Sequence, residues 1–317
     1  MKIWDVTVVG EIYIDHVMSG FETWPGPGEE VVTDHYTREI GGGCATTACG
    51  LSRLGKSVNL VGIIGCADAP WLERRLANFG VTSQGLRSVS GPTGVTLSVS
   101  TREDRSFFTH VGVNRQLSQE LLAPETLVSL TRARHVHFAM PLPRSLAAMI
   151  LPALTEANCT SSLDVGYQPA WLTDWANHPT CQAVDYLLPN EKEAALLSGG
   201  ETPADYFAFA RKLRMRRGIL KLGARGAMSD VDRDAGGDAG GGPIAVSPPK
   251  VVAIDSTGSG DAFDAGYIDA LLEGANEEER LRRACICGAL STRVPGALGG
   301  LPNREELWSI YEQTYGS

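Results

Sequence analysis

Val251-Val252-Ala253-Ile254-Asp255-Ser256-Thr257-Gly258-Ser259-Gly260-Asp261-Ala262-Phe263-Asp264-Ala265-Gly266 carries the strongest signal in the chain. The apolar run Val251–Ile254 predicts a buried strand. Phe263, Tyr267, Ala270 and Leu271 then recur at helical spacing, with a stop at Gly274. Between strand and helix lie two glycines and a small residue, whose backbone amides can approach an anion without interference from a Cβ atom. The helix N-terminus adds about half a positive charge. Gly258, Ser259 and Gly260 therefore make a cradle for a transferring phosphoryl group. Asp261 stands in the first helical turn beside it, where a carboxylate can accept the proton of an attacking hydroxyl. Asp264, one turn further on, reads as a solvated acid or one that complements the helix dipole.

Outward from this turn, short apolar runs alternate with helical stripes. Ile3–Val9, Val58–Ile64, 136–138, 161–164, 186–188 and Gly218–Leu222 read as strands. Ala45, Ala48, Leu51 and Leu54 make one helical stripe; Leu72, Leu76 and Phe79 make another; Leu146, Met149, Ile150 and Leu154 make a third. The alternation predicts an α/β fold with a mostly parallel sheet flanked by helices. Residues 11–37 and 93–113 break it with strand-like runs that lack helices between them, and predict a small antiparallel β lid inserted in the α/β body. Tyr13, Trp24, Phe107 and Phe108 fall in these segments, where they could form the lid's own small core or stack on a base. No linker divides residues 1–317, so one domain is expected. The tract 235–243, rich in glycine, reads as a flexible loop.

Gly50-Leu51-Ser52-Arg53-Leu54-Gly55-Lys56-Ser57 matches the P-loop pattern letter for letter, but its context is reversed. A helical stripe precedes it and a strand follows, so Gly55 reads as a helix C-terminal cap with Lys56 favourably placed at the helix end. Composition narrows the remaining classes. Lys and Arg number 28 against 37 Asp and Glu, a net charge of −9 that lacks the basic footprint of a nonspecific nucleic-acid binder. No apolar stretch approaches the ~20 residues of a membrane span. Seven scattered cysteines fit a reduced, cytoplasmic setting, and Cys285 with Cys287 has no second cluster to complete a structural metal site.

Asp255–Gly266 closely resembles the second signature of the ribokinase-like PfkB carbohydrate kinases, and the resemblance extends over nearly the whole chain. Gly10–Asp15 resembles the family's first strand and its substrate-holding Asp. Gly41–Ala48, ending in Arg53-Leu54-Gly55, resembles the first signature. Val113–Leu117 resembles the segment returning from the lid, Pro189–Glu193 the N-x-x-E element, and Lys221–Gly226 the nucleotide-binding turn. The resemblance implies a kinase that uses ATP and Mg²⁺ to phosphorylate a hydroxyl of a small sugar or polyol. Asp261 would be the base. Asp15, Gly42, Gly43, Thr46 and Asn114 would meet the sugar. Lys221, Gly223, Gly226, Cys285 and Asn190 would meet the nucleotide. Asn190 and Glu193 would act on Mg²⁺ through water, and Asp255 and Thr257 would contribute to a K⁺ site. A homodimer through the lid is a further expectation.

Departures from the pattern matter too. Thr46 stands where the family usually has Asn and offers one hydroxyl in place of separate donor and acceptor atoms. Asp164-Val165-Gly166-Tyr167-Gln168 resembles the D-x-N-x-R stretch but has Gly166 and Gln168 in place of Asn and Arg. Losing that Arg removes a bidentate carboxylate partner and counts against an acidic sugar. Two other functions share the motifs: a nucleoside kinase of the same fold, and a nucleotide- or sugar-binding regulator without turnover.

Overall fold

A computed structural model describes residues 2–102, 105–230 and 243–316. The glycine tract 236–242 lies outside the described residues. In chain order the strands are β1 (Trp4–Gly10), β2 (Tyr13–Phe21), β3 (His35–Gly41), β4 (Val58–Gly65), β5 (Leu86–Val89), β6 (Gly94–Thr101), β7 (Arg105–His110), β8 (Ala133–Ala139), β9 (Thr160–Asp164), β10 (Tyr186–Leu187), β11 (Ile219–Lys221), β12 (Ala227–Ser229) and β13 (Ile244–Val246).

β1 and β4 are rich in Val, Leu and Ile, and β4 is buried along its whole length, as a strand covered on both faces requires. They sit at the middle of a parallel six-stranded sheet of order β10-β9-β8-β1-β4-β5. The order reverses at β1, and in open α/β sheets a crevice for ligands forms at the carboxyl ends beside such a reversal. The helices Gly43–Arg53 and Ser259–Leu272 pack together on one face of the sheet. Gly50 permits their close approach, since a Cβ there would lie 2.8 Å from Ala265 Cβ. Helix Arg144–Glu156 covers the other face, burying Leu146, Ile150 and Leu154.

The lid is a separate four-stranded sheet of order β3-β2-β6-β7, with antiparallel outer pairs and a parallel β2–β6 pair at its centre. Its first segment runs on to Gly41, past the expected limit at residue 37. Trp24 stacks on Phe108 with ring centroids 6.0 Å apart, and both residues, like Phe107, are at least half exposed rather than packed into a lid core. A third, antiparallel sheet, β11-β12-β13, includes the expected strand Gly218–Leu222 as β11; β12 and β13, three residues each, have no counterpart in the sequence pattern.

Val251–Ile254 does not form a strand. Val252 is 84% and Ile254 63% exposed, while Val251 and Ala253 turn into a cavity. The run is apolar because it walls a pocket, not because it joins a sheet. The P-loop look-alike is a helix end, as its context predicts: Gly55 has φ +86°, and Lys56 Nζ lies 3.0 Å from Asp269 and 2.8 Å from Glu273.

Asp269 is fully buried and also meets Arg304 at 2.6 Å and Arg283. Asp269→Ala removes the buried carboxylate that three cations share and leaves them only the partly exposed Glu273 in common. It should cost about 3–5 kcal/mol of stability, measurable by chemical unfolding.

Candidate active site

β1, β8, β9 and β11 all end at one cavity of about 480 Å³, as the crevice rule requires. The chain just beyond β1 contributes Glu11, that beyond β8 Met140, and β9 and β11 end on Asp164 and Lys221. Two helix N-termini aim into the same space, one at Gly42-Gly43 and the other at Gly258-Ser259-Gly260. Gly42 has φ +96°, and a Cβ there would lie 2.2 Å from the Glu11 carbonyl oxygen, so no side chain fits. Gly258 has φ +72° and begins the second helix in the left-handed conformation that glycine adopts at little cost. The two helix ends superpose their partial positive charges on one anion site.

Asp261 lies between these ends, and its backbone carbonyl accepts a hydrogen bond from Thr47 Oγ1 at 3.2 Å. Burial pushes its carboxyl up to about 7, the Asp164 and Glu193 charges add to the rise, and Lys221 opposes it. The ligand oxygens of Asp164, Asp261 and Asp264 lie within 4.8 Å of one another. Asp264 is thus not a solvated acid. It is completely buried, with Oδ1 2.7 Å from Lys221 Nζ, because the helix turns this position onto the sheet. Burial holds its carboxyl well above the usual range, against the pull of Lys221. Asp164 is driven the other way, down to about 2: burial would raise it, but Lys221, 2.6 Å away, and its hydrogen bonds prevail.

A second cavity, of about 640 Å³, adjoins the first. The two share Lys221, Gly223, Ser256, Ser259 and Gly260. Beyond that common wall the second cavity is largely apolar, with Pro248, Val251, Ala253, Phe263 and Cys285 in its lining. Gly226 belongs to it at φ +94°, where a Cβ would lie 1.9 Å from the Val246 carbonyl oxygen. Burial pushes the Cys285 thiol up to about 12, so the group is neutral.

Two pockets meeting at a glycine-rich helix start, with the partly buried Asp261 carboxylate beside it, suit transfer of a phosphoryl group from one ligand to another. Residues 5–304 match the model of the pfkB family carbohydrate kinases. The chain belongs to that family. It is 27% identical over 315 residues to the ribokinase of Haemophilus influenzae, covering 97% of this chain and 98% of that one. It is 33% identical over 267 residues to an ATP-dependent ribose-1-phosphate kinase of Halopiger xanaduensis, covering 82% and 83%. The structure of Arabidopsis thaliana ribokinase complexed with ribose and ATP superposes with a TM-score of 0.82 at 25% identity, covering 98% and 99%. This protein is accordingly a carbohydrate kinase of the ribokinase-like superfamily.

The other residues singled out from sequence fall in three groups around the kinase's cavities. Asn190 and Glu193 line the first cavity and form a capping box. Glu193 Oε2 accepts from Asn190 N at 2.8 Å and Oε1 from Asn190 Nδ2 at 2.6 Å. Glu193 is buried, and burial together with Asp164 pushes its carboxyl up to about 7. With Glu193, Asn190 and Asp164 offering more carboxylate and amide oxygens than Lys221 can neutralise, this end of the cavity fits a hard divalent cation such as Mg²⁺ held through water.

Asp15, Thr46 and Asn114 do not line either cavity. Asp15 packs on Gly41 at the base of the lid, where a Cβ on that glycine would lie 2.0 Å from its Oδ1. Burial and Glu39 raise its carboxyl to about 6, against a hydrogen bond from Thr96. Asn114 pins the start of the lid, accepting from Ile12 N at 3.2 Å and donating to Ile12 O at 2.9 Å. The methyl of Thr46 sits behind Gly258, 3.2 Å from where its Cβ would be.

Asp255 and Thr257 shape the turn before the helix. Asp255 accepts from Thr257 N and Oγ1 at 3.0 and 2.7 Å and, with its other oxygen, from Gly296 N at 2.9 Å. Sequence reasoning gave no role to Glu11, which lines the first cavity and accepts a 2.6 Å hydrogen bond from Tyr13. Its signal was its place immediately after a buried strand ending in glycine.

Proposed function

We propose that this kinase transfers the γ-phosphoryl group of ATP to a hydroxyl of a small, neutral sugar or polyol, with Asp261 as general base. The single observation that carries the reading is Asp261, partly buried in the first cavity beside the Ser259-Gly260 turn that both cavities share. The nucleotide occupies the apolar second cavity, against Gly223, Gly226 and Cys285. The acceptor occupies the first, with Gly42, Gly43 and Glu11 around it and Asp15 recruited as the lid closes. Closure excludes water, which limits wasteful hydrolysis. Asn190 and Glu193 hold Mg²⁺ through water; the ion offsets charge on the phosphates. Asp255 and Thr257, with the loop 296–300, hold a monovalent cation behind the anion site. Gln168, in the first cavity where the family pattern has Arg, supports a neutral acceptor.

A panel of neutral sugars, sugar acids, sugar phosphates and nucleosides, read by ADP release, tests this. Turnover of a neutral sugar or polyol is expected, and turnover confined to nucleosides would overturn the choice of acceptor. The proton-accepting form of Asp261 is lost as pH falls through about 7. Turnover at limiting acceptor should therefore rise about tenfold per pH unit below that value and level off above it. A flat profile between pH 5.5 and 8 would count against Asp261 as the base.

We also propose that two copies pair through the lid, whose half-exposed Trp24, Phe107 and Phe108 form an apolar face. Light scattering should show a dimer that Phe108→Glu weakens.

A further inference from the structure

Lys221 is the last residue of β11, and its side chain is buried. Its ammonium lies 2.6 Å from Asp164 Oδ2, 2.7 Å from Asp264 Oδ1 and 3.3 Å from the Gly260 carbonyl oxygen. Two of its three N–H groups are thus held by carboxylates, and the third makes only a long contact. A buried ion group of this kind is weak evidence for a stabilising role, since apolar residues of similar volume often stabilise as well or better. Its position is more telling than its energy. Lys221 belongs to the wall that the two cavities share, and among the described residues it is the only cationic side chain lining both. At Gly260 no side chain covers Nζ, and a Cβ there would come into contact with it at 3.6 Å. A phosphoryl group passing from one cavity to the other crosses that wall.

We propose that Lys221 is a catalytic residue that binds the transferring phosphoryl group, with Asp164 and Asp264 as positioning residues that clamp its ammonium at the junction. The inference rests on the kinase reading. In the transfer, the bond from the bridging β–γ oxygen to the γ-phosphorus breaks and ADP leaves with that electron pair. The acceptor oxygen bonds to phosphorus and its proton passes to Asp261. Lys221 exchanges its long contact with Gly260 for an equatorial phosphoryl oxygen and gains no covalent bond. A fixed cation at developing negative charge needs no reorganisation during the reaction. The clamp also lets a lysine act as a point charge without the entropy of an untethered side chain.

Calorimetric binding of ADP and of the imido analogue of ATP separates this role from a structural one and needs no acceptor. Lys221→Met should bind ADP within about twofold of the parent but lose about tenfold affinity for the imido analogue, because only the latter has a γ-phosphoryl group. With an acceptor from the panel, its kcat should fall by about 10²–10³-fold. Asp264→Ala should show a smaller loss in the same sense, with ADP affinity unchanged. Because Lys221→Met leaves two acids unpaired, the charge-balanced double variant Lys221→Gln with Asp264→Asn provides the same readout if the single variant misfolds. Equal loss of both nucleotides, or unchanged analogue binding and kcat in a folded variant, would overturn the proposal. If the parent phosphorylates nothing in the panel, the proposed acceptor class fails, and the two affinities still show whether Lys221 meets a γ-phosphoryl group.

Discussion

Asp261→Asn should lower kcat by about 10³-fold while leaving nucleotide affinity within a few-fold of the parent. Asn is nearly the same size, so the helix start and the glycine turn keep their shape. It cannot take the acceptor's proton. General-base contributions span about 10²–10⁴-fold, and the loss predicted for this variant lies within that range. Asn also removes a negative charge from a cluster that includes Asp164 and Glu193. Binding of a phosphate-bearing ligand should therefore hold or tighten as turnover falls. Rapid-quench turnover together with calorimetric nucleotide affinity checks both halves. A variant with weak nucleotide binding and little loss of kcat would show that Asp261 positions the phosphates rather than the proton.

The parts of the site legible in sequence are those encoded over a few neighbouring residues. Asp255–Gly266 was legible because the turn, the cap and the carboxylate are fixed by local backbone conformation. Gly258 is where φ is +72°, and Asp261 is where the first turn places it. The parallel sheet was legible for the same reason: β1 and β4 are mostly apolar runs, β4 buried along its whole length, and such runs suit a strand covered on both faces. The clamp on Lys221 was not. Its three participants, Asp164, Lys221 and Asp264, are separated by at least 43 positions in the chain, and only the packing of helix Ser259–Leu272 on the sheet brings Asp264 to Lys221. An acid one turn into a helix has the same local signature whether it faces water or a buried ammonium. Val251–Ile254 failed in the opposite direction. Four apolar residues before a glycine turn look like a strand, yet two of them wall a cavity and two face solvent. Periodicity reports which side chains avoid water, not whether a strand or a ligand covers them.

Gly258→Ala should reduce kcat by about 10²-fold and destabilise the fold, two effects with separate causes. The left-handed conformation at φ +72° costs an L-residue about 1–2 kcal/mol. The added Cβ would also lie 2.6 Å from Ala297 Cβ and 3.2 Å from Thr46 Cγ2, so either the loop after the 277–291 helix or the turn itself must shift. A shift of the turn moves the Ser259 and Gly260 amides that face the phosphoryl site, and displacement of about 1 Å in a positioned group can cost about 10²-fold in rate. Thermal unfolding reads the strain, and turnover at saturating ATP reads the amides. The control is Gly274→Ala, also at positive φ, +75°, but in open surroundings at the far end of the same helix. It should lose comparable stability from backbone strain and keep its turnover. Equal loss of kcat in both variants would mean that global loosening, rather than the position of the anion-binding amides, limits the reaction.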